Sequence, residues 1–442
     1  MEEKQLKRDI TMFGAFSTVM GTVIGAGVFF KAATVTEVAG SPKISLLAWL
    51  IGGILTICAG LTSAELATAI PKTGGAIKYI EYTYGKLPGF LLGWAQTVIY
   101  FPANIAALSI IFSLQFIHLF QLDENLLIPI AVLVGTSVTV INLLGAKVAS
   151  KFQSISLVMK LVPIGLIIIF GLVNGTNDIL SVSHSVRNDS SNFLSLLAPA
   201  LFATLFAYDG WLGVGAMAGE MQRPDKMLPK AIFLGLSFIT LVYVLINAAF
   251  LHVLPFEAIV GNKNAASDVA KVLFGGVGGK LVTIGILISV YGALNGYTMT
   301  GIRVPFALAE EGQLPGSKYL KRLSKNAKIP YVSALLQLVI SILMMFLGTF
   351  DLLTDMLVFV MWLFSILIFV AVFVLRKREP ELKRPYRVPL YPWIPLIAIL
   401  GGLFILVTTV LTQFSLAITG IILTLIGIPI FYLTTYFSKG SD

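Results

Sequence analysis

One feature constrains this chain more than any other. A block of about twenty apolar residues recurs twelve times in 442 positions, with short polar stretches between. The blocks fall at 12–38, 45–69, 89–116, 126–145, 153–173, 196–217, 231–252, 279–307, 331–349, 354–375, 390–411 and 414–436. Inside hydrocarbon a backbone must satisfy its own polar groups, and a single apolar run does so only as a helix. The chain is 57% hydrophobic and 12% charged, against about 25% charged in soluble domains. A soluble core cannot absorb that much apolar surface, but a bilayer can. The expectation is an all-α integral membrane protein of twelve transmembrane helices. Its charged start, 1–11, is read as a cytoplasmic terminus rather than a cleavable leader, and 437–442 as a second cytoplasmic terminus.

The net charge of +9 invites a nucleic-acid reading, but the placement of charge argues against one. With a cytoplasmic start and twelve crossings, six of the 31 Lys and Arg fall on outer loops or outer helix ends: Lys31, Lys43, Arg187, Lys263, Lys271 and Lys280. Two, Lys160 and Arg303, fall inside spans, and the other 23 lie on the inner side. That asymmetry follows the positive-inside rule and predicts a multi-pass protein of the cell membrane with no nucleic-acid partner. The densest basic runs, 318–328 and 376–387, land on inner loops, where anionic lipid attracts them. The outer loop after the fifth block carries two sequons, Asn174-Gly-Thr176 and Asn188-Asp-Ser190, relevant only in a secretory pathway. The single cysteine, Cys58, lies within a span, so no intramolecular disulfide forms. His118, His184 and His252 sit near span ends without metal-ligand spacing.

Two blocks are abnormal at corresponding places. The first carries GTVIGAGVF at 21–29, and the sixth carries TLFAYDGW at 204–211. Glycine in a helix interior costs about 1 kcal/mol relative to alanine, and Gly25 and Gly27 two residues apart ask for unusual backbone angles. Irregular backbone at membrane depth must be buried in protein or line a cavity. The rival reading is close helix packing through small residues. Matching interruptions in two halves favour a binding site, with 12–173 and 196–375 as five-span halves and 390–436 peripheral.

A broken helix presents opposite termini at one depth. One end offers unpaired N–H groups and a positive dipole, the other unpaired carbonyls and a negative one. A zwitterion with a carboxylate and an ammonium on one carbon satisfies both. This needs no metal, cofactor or catalytic side chain.

The motifs GTVIGAGVF (21–29), AELATAIPKTGG (64–75), MKLVPIG (159–165), FAYDGW (206–211), GEMQRPDKMLPKAI (219–232) and LNGYTMTGIRVPFALAEEGQLP (294–315), in this order across essentially the whole chain, resemble the amino acid–polyamine–organocation superfamily. Within it the chain looks most like the L-type amino-acid transporters and their bacterial exchangers of small neutral amino acids. The resemblance implies a LeuT-type fold, a five-plus-five inverted repeat with discontinuous helices 1 and 6. It implies sodium-independent exchange of small neutral L-amino acids such as alanine, serine, threonine and cysteine by alternating access. The substrate carboxylate would meet the amides of Ala26 and Gly27, with Gly25 permitting the approach. The ammonium would meet the carbonyls of Val23, Ile24, Phe206 and Asp209. The Phe206 ring would gate the site from outside. Several relatives carry serine at position 26, and alanine there keeps the amide. Eukaryotic relatives bind a glycoprotein heavy chain through a loop cysteine between spans 3 and 4. The loop 121–127 here has none, so no disulfide-linked partner is expected.

Lys160 lies about 10 Å into its span at 1.5 Å per residue, a depth at which a lysine costs about 2.5–3.5 kcal/mol. The resemblance places it where sodium-coupled relatives bind an ion. Its ammonium would stand in for that ion, bridging carbonyls near Gly21 to Ile24 and a polar atom of span 8, Ser289. Snorkelling to the inner interface is the alternative. Asp209 departs from the small residue of many relatives. It either caps the outgoing half of span 6 or contacts substrate or a proton. Glu65, Glu220 and Arg303 are read as an inner group of ion pairs or helix caps closing the cytoplasmic side. Tyr208 and Trp211 are packing aromatics or pocket walls, Trp211 with a gating role. Asn295 is expected to hydrogen-bond across the bundle.

An embedded enzyme would need converging acid, base, nucleophile or metal groups, which the spans lack, and a channel would need a filter loop. Within transport, the alternative to exchange is a proton-coupled symporter of the same fold.

Overall fold

The computed structural model describes residues 11–70, 74–178, 193–215, 221–324 and 329–439, and within them every regular element is a helix. Helices α1 (Met12–Val23) and α2 (Gly27–Ala39) meet at a bend of 48°. They are followed by α3 (Pro42–Ala69), the short α4 (Ala76–Tyr84), α5 (Lys86–Phe120), α6 (Glu124–Leu143), α7 (Ala146–Asn174) and α8 (Phe193–Leu205). The second half runs α9 (Leu212–Gly215), α10 (Pro224–Val253), α11 (Ala265–Gly301), α12 (Arg303–Glu310), α13 (Tyr331–Leu347), α14 (Phe350–Arg378), α15 (Trp393–Thr412) and α16 (Phe414–Tyr436). Among the described residues, eight helices are long and apolar enough to cross a membrane, the α1–α2 pair passes that test together, and Met159–Asn174, α8 and α13 are shorter apolar helices.

Local chemistry sets the ends of these helices. Thr11, Ser41 and Thr349 accept hydrogen bonds from the amides of Gly14, Ile44 and Leu352, capping α1, α3 and α14, and so take up N–H groups left without a carbonyl. Pro42 follows one cap at the first helical position, where its missing donor is not needed. Arg376, Lys377 and Arg378 close α14 against its negative end. Polar side chains within the spans mostly return to their own backbone, as Thr56 does to Gly52 O at 2.8 Å and Thr62 to Cys58 O at 2.7 Å. Large apolar side chains such as Leu133, Val173, Leu347 and Leu411 point outward, toward lipid.

Packing separates the helices into two groups. The broken α1–α2 pair and α3 pack against α8 and α10, while α5 and α6 pack against α11 and α13. Helix α7 leans on both α10 and α11. The structure starts span 5 earlier than expected, at Ala146, and extends two further spans at their starts. Span 7 begins earlier, at Pro224, and the helix of span 8 begins at Ala265, with a kink at Gly275 (φ 71°). Both extensions are too polar or glycine-rich to register as apolar blocks.

Candidate functional site

The first interruption is local and sharp. Helix α1 stops at Val23, Ile24 is extended (φ −70°, ψ 103°), and α2 starts from Ala26 with no side-chain cap. The carbonyl of Ala26 takes the amides of Phe29 and Phe30 at 3.1 and 3.2 Å. Gly27 and Val28, in the first turn of α2, therefore have no intrahelical carbonyl to bond. The second interruption spans the residues between α8 and α9. The amides of Ala207 and Tyr208 return to Thr204 O, and that of Asp209 to Phe206 O at 3.2 Å. Gly210 then turns into the left-handed region (φ +104°). A side chain there would also stand 2.9 Å from the Thr22 carbonyl, so both angle and space require glycine.

The two interruptions cross. A methyl built on Gly27 would lie 2.5 Å from Ala207 Cα, closer than carbon atoms approach. Tyr243, fully buried on α10, places its hydroxyl 3.1 Å from Val23 O and 3.0 Å from Ala207 O. One side chain from a third helix therefore ties both broken segments together. Gly25 lies at the crossing but is not crowded. An added Cβ would meet only Ala293 Cβ at 3.5 Å and Val23 O at 3.9 Å. Gly25, Asp209, Gly210 and Tyr297 keep partial exposure while Ile24, Ala26, Gly27 and Phe206 are buried.

Asp209 fits neither expectation cleanly. Its Oδ2 accepts hydrogen bonds from the Tyr100 hydroxyl at 2.5 Å and the Tyr297 hydroxyl at 3.2 Å. The carboxylate thus anchors the second interruption to α5 and α11. Tyr100 ends a π-helical turn, Gln96–Tyr100, within α5. Pro102 follows it at the start of the next α-helical stretch, where its missing N–H takes one donor from the regular ladder. Sequence reasoning missed Tyr100, Tyr243 and Tyr297. The available signal was a tyrosine deep in an apolar span, whose hydroxyl needs a partner.

Lys160 lies 1% exposed on α7, with its Nζ 2.7 Å from Gly21 O and 2.5 Å from Ile24 O. It reaches the end of α1 rather than a membrane interface. Ser289, the third partner in the expected bridge, makes no such bond. Its hydroxyl is buried without a hydrogen-bond partner among the described residues, and the hydrogen bonds of the lysine go to the carbonyls of the α1 terminus. Of the four carbonyls expected to take an ammonium, Val23 O and Ile24 O already have protein donors nearby, and Phe206 O accepts from Asp209.

The Phe206 ring meets the Phe350 ring edge-on at 5.6 Å. Trp211 stacks on Phe369 of α14 at 6.4 Å. Tyr208 hydrogen-bonds Trp49 O at 2.8 Å and packs among Trp49 and Tyr243, which makes it a packing aromatic. Glu65, 1% exposed on α3, accepts from Arg376 at 2.8 and 2.6 Å and from the Val388 amide at 2.8 Å. Arg384 stands 3.7 Å away. Arg303, read as one of an inner charged group with Glu65 and Glu220, donates to Met299 O at the end of α11, while Glu65 is met by α14 and the segment after it. Glu220, His184 and the second sequon lie outside the described residues. Asn295 bridges helices, accepting from Asn142 and donating to Ala149 O, both at 3.0 Å. Among the described residues no His, Cys, Asp or Glu group could hold a metal ion.

Comparison with known proteins places these features in context. A family model described as amino acid permease matches residues 10–436. The chain is 41% identical over 432 residues to the serine/threonine exchanger SteT of Bacillus subtilis (strain 168), covering 98% of each chain. It is 31% identical over 446 residues to the cystine/glutamate transporter of Homo sapiens, 99% of this chain and 87% of that one. It is 32% identical over 441 residues to the large neutral amino acids transporter small subunit 2 of Homo sapiens, 98% and 81% respectively.

Proposed function

The chain belongs to the amino acid permease family, and from that membership we propose that it exchanges one small neutral L-amino acid for another across the cell membrane by alternating access, without sodium. It is a transporter and not an enzyme, as the names of its relatives indicate. The observation that carries the proposal is the crossing of two helix interruptions at Gly27 and Ala207, tied by Tyr243. Such a crossing collects amides without an intrahelical carbonyl and carbonyls with lone pairs to spare at one depth, the complement of a zwitterion.

In this reading the twelve crossings comprise the eight long helices, the bent α1–α2 pair and the three shorter apolar helices. They form two inverted repeats, 12–173 and 196–375, with 390–436 peripheral and both termini cytoplasmic. The substrate carboxylate docks on the amides of Ala26 and Gly27. Its ammonium takes the remaining lone pairs of Val23, Ile24, Phe206 and Asp209 carbonyls. Gly25, where an added Cβ would only just touch Ala293 Cβ at 3.5 Å, lets the α-carbon approach the backbone. Phe206 covers the site from outside, and Trp211 moves with the second interruption. The ammonium of Lys160 occupies the place of a driving cation beside Gly21 and Ile24, which favours exchange over sodium coupling. Serine and threonine are the substrates in the name of the bacterial relative, and alanine and cysteine are small neutral amino acids of similar size. Without a loop cysteine the chain works without a disulfide-linked heavy chain.

Counterflow in proteoliposomes tests this. Uptake of labelled serine is expected to require unlabelled amino acid inside and to ignore sodium and proton gradients. Uptake into empty vesicles driven by a proton gradient would establish the symporter alternative, with the Asp209 carboxylate as the first residue to examine. Failure of any amino acid to exchange would overturn the reading.

A further inference from the structure

Lys31, counted from the sequence among the charges of outer loops and outer helix ends, is fully buried on α2. Its Nζ lies 3.0 Å from Asp351 Oδ1 and 2.8 Å from Asp355 Oδ1, one turn apart at the start of α14. Asp351 also accepts from the Thr34 hydroxyl at 2.9 Å and pairs through Oδ2 with Lys263 at 2.6 Å. Lys263 belongs to the connection between α10 and α11, and the Gly261 amide of that connection reaches Ala33 O at 3.3 Å. The cluster therefore joins three separate segments: α2, the start of α14 and the 254–264 connection. Directly beneath it lies Phe206, with the Lys31 ammonium 5.9 Å from its ring centroid and 5.5 Å from that of Phe350.

We propose that Lys31, Asp351 and Asp355 are positioning residues for transport. They form a latch that holds α2 and the 254–264 connection on α14 when the site is shut on the Phe206 side, and that parts when this side opens. The proposal rests on the alternating-access reading above. A charge with no exposure is tolerated only beside partners, and removing one partner leaves the other uncompensated. α2 can thus close over Phe206 only in the register that brings the ammonium between both carboxylates. When the segments separate, the same groups are exposed to water, which hydrates them without a partner. A buried apolar contact would hold either register. The charge triad holds one, and it lets go into solvent.

The test is thiol accessibility in cells, with Cys58→Ser and Ala33→Cys combined as a background first shown to exchange at the parent rate. An impermeant thiol reagent is expected to modify Cys at position 33 slowly, because Ala33 is covered by the connection. Adding Lys31→Met should raise that labelling at least fivefold and lower exchange about tenfold. Lys31→Asp with Asp355→Lys should recover at least half of the exchange and return labelling toward the slow rate. Should Lys31→Met not insert, Asp355→Asn gives the same measurement, with at least a twofold rise in labelling expected. Unchanged labelling in a monodisperse variant overturns the latch, whether exchange is kept or lost, as does a failure of the charge-reversed pair to slow labelling. Labelling does not depend on which substrate is carried. A failed latch with intact exchange therefore leaves the transport reading standing, and absent exchange in the parent protein identifies the opposite failure.

Discussion

Gly27 and Ala207 meet backbone to backbone, so that a single methyl on the glycine would stand 2.5 Å from the alanine Cα. They are 180 residues apart in the chain, yet they form the point at which the two interrupted helices cross. The absence of one Cβ sets the spacing of the whole centre, including the 3.1 and 3.0 Å contacts of Tyr243 to both segments.

Gly27→Ala is therefore expected to force the segments apart and abolish exchange, leaving less than 5% of the parent rate. Overpacking of a close contact costs about 1–3 kcal/mol, which the rest of the bundle tolerates, so the variant should still purify as a monodisperse species. Normal exchange by Gly27→Ala would show that the crossing is not part of the transport site.

Lys160→Ala removes a donor from both Gly21 O and Ile24 O. Hydrogen bonds from a charged group are worth about 1.5–3 kcal/mol each, and both act on the freed end of α1. Exchange should fall more than tenfold while size-exclusion profiles stay unchanged. A near-parental rate would assign the lysine a packing role only.

Tyr100→Phe should weaken the protein more than Tyr297→Phe, because the bond to Asp209 Oδ2 is 2.5 Å from the first and 3.2 Å from the second. The thermal midpoint in detergent reads the difference. Asp209→Asn keeps an accepting oxygen for both hydroxyls and should retain at least half of the exchange, with an unaltered pH profile between pH 5 and 8. A flattened pH profile would instead make this carboxylate a proton carrier.

At the opposite end, Arg376→Ala should destabilise more than Glu65→Ala. Glu65 is 1% exposed and Arg376 22%, so losing the arginine strands a buried carboxylate, whereas losing the glutamate leaves an arginine that reaches water and still covers Tyr391 at 3.8 Å. Removing the partner of a buried charge costs about 3 kcal/mol or more, and the thermal midpoint should drop accordingly. Equal shifts for the two variants would mean that Arg384 and the Val388 amide already satisfy Glu65 alone.

The sequence by itself determined the membrane class, the number of apolar blocks and the two places where a helix gives way. Each is a local property: a run of apolar side chains, or glycines that weaken a helix where they stand. It also marked Lys160 as a charge in need of partners, because depth in a span follows from counting along the chain. Tertiary structure alone decided who those partners are. Asp209 meets Tyr100 109 positions away, and Lys31 meets Asp351 320 positions away. No periodicity encodes which helices meet, so Lys31 read only as one of the outer charges, Ser289 as a ligand of Lys160 and Arg303 as one of an inner charged group. The desolvation of a charge, and hence its need for a particular neighbour, arises only when helices from distant parts of the chain close around it.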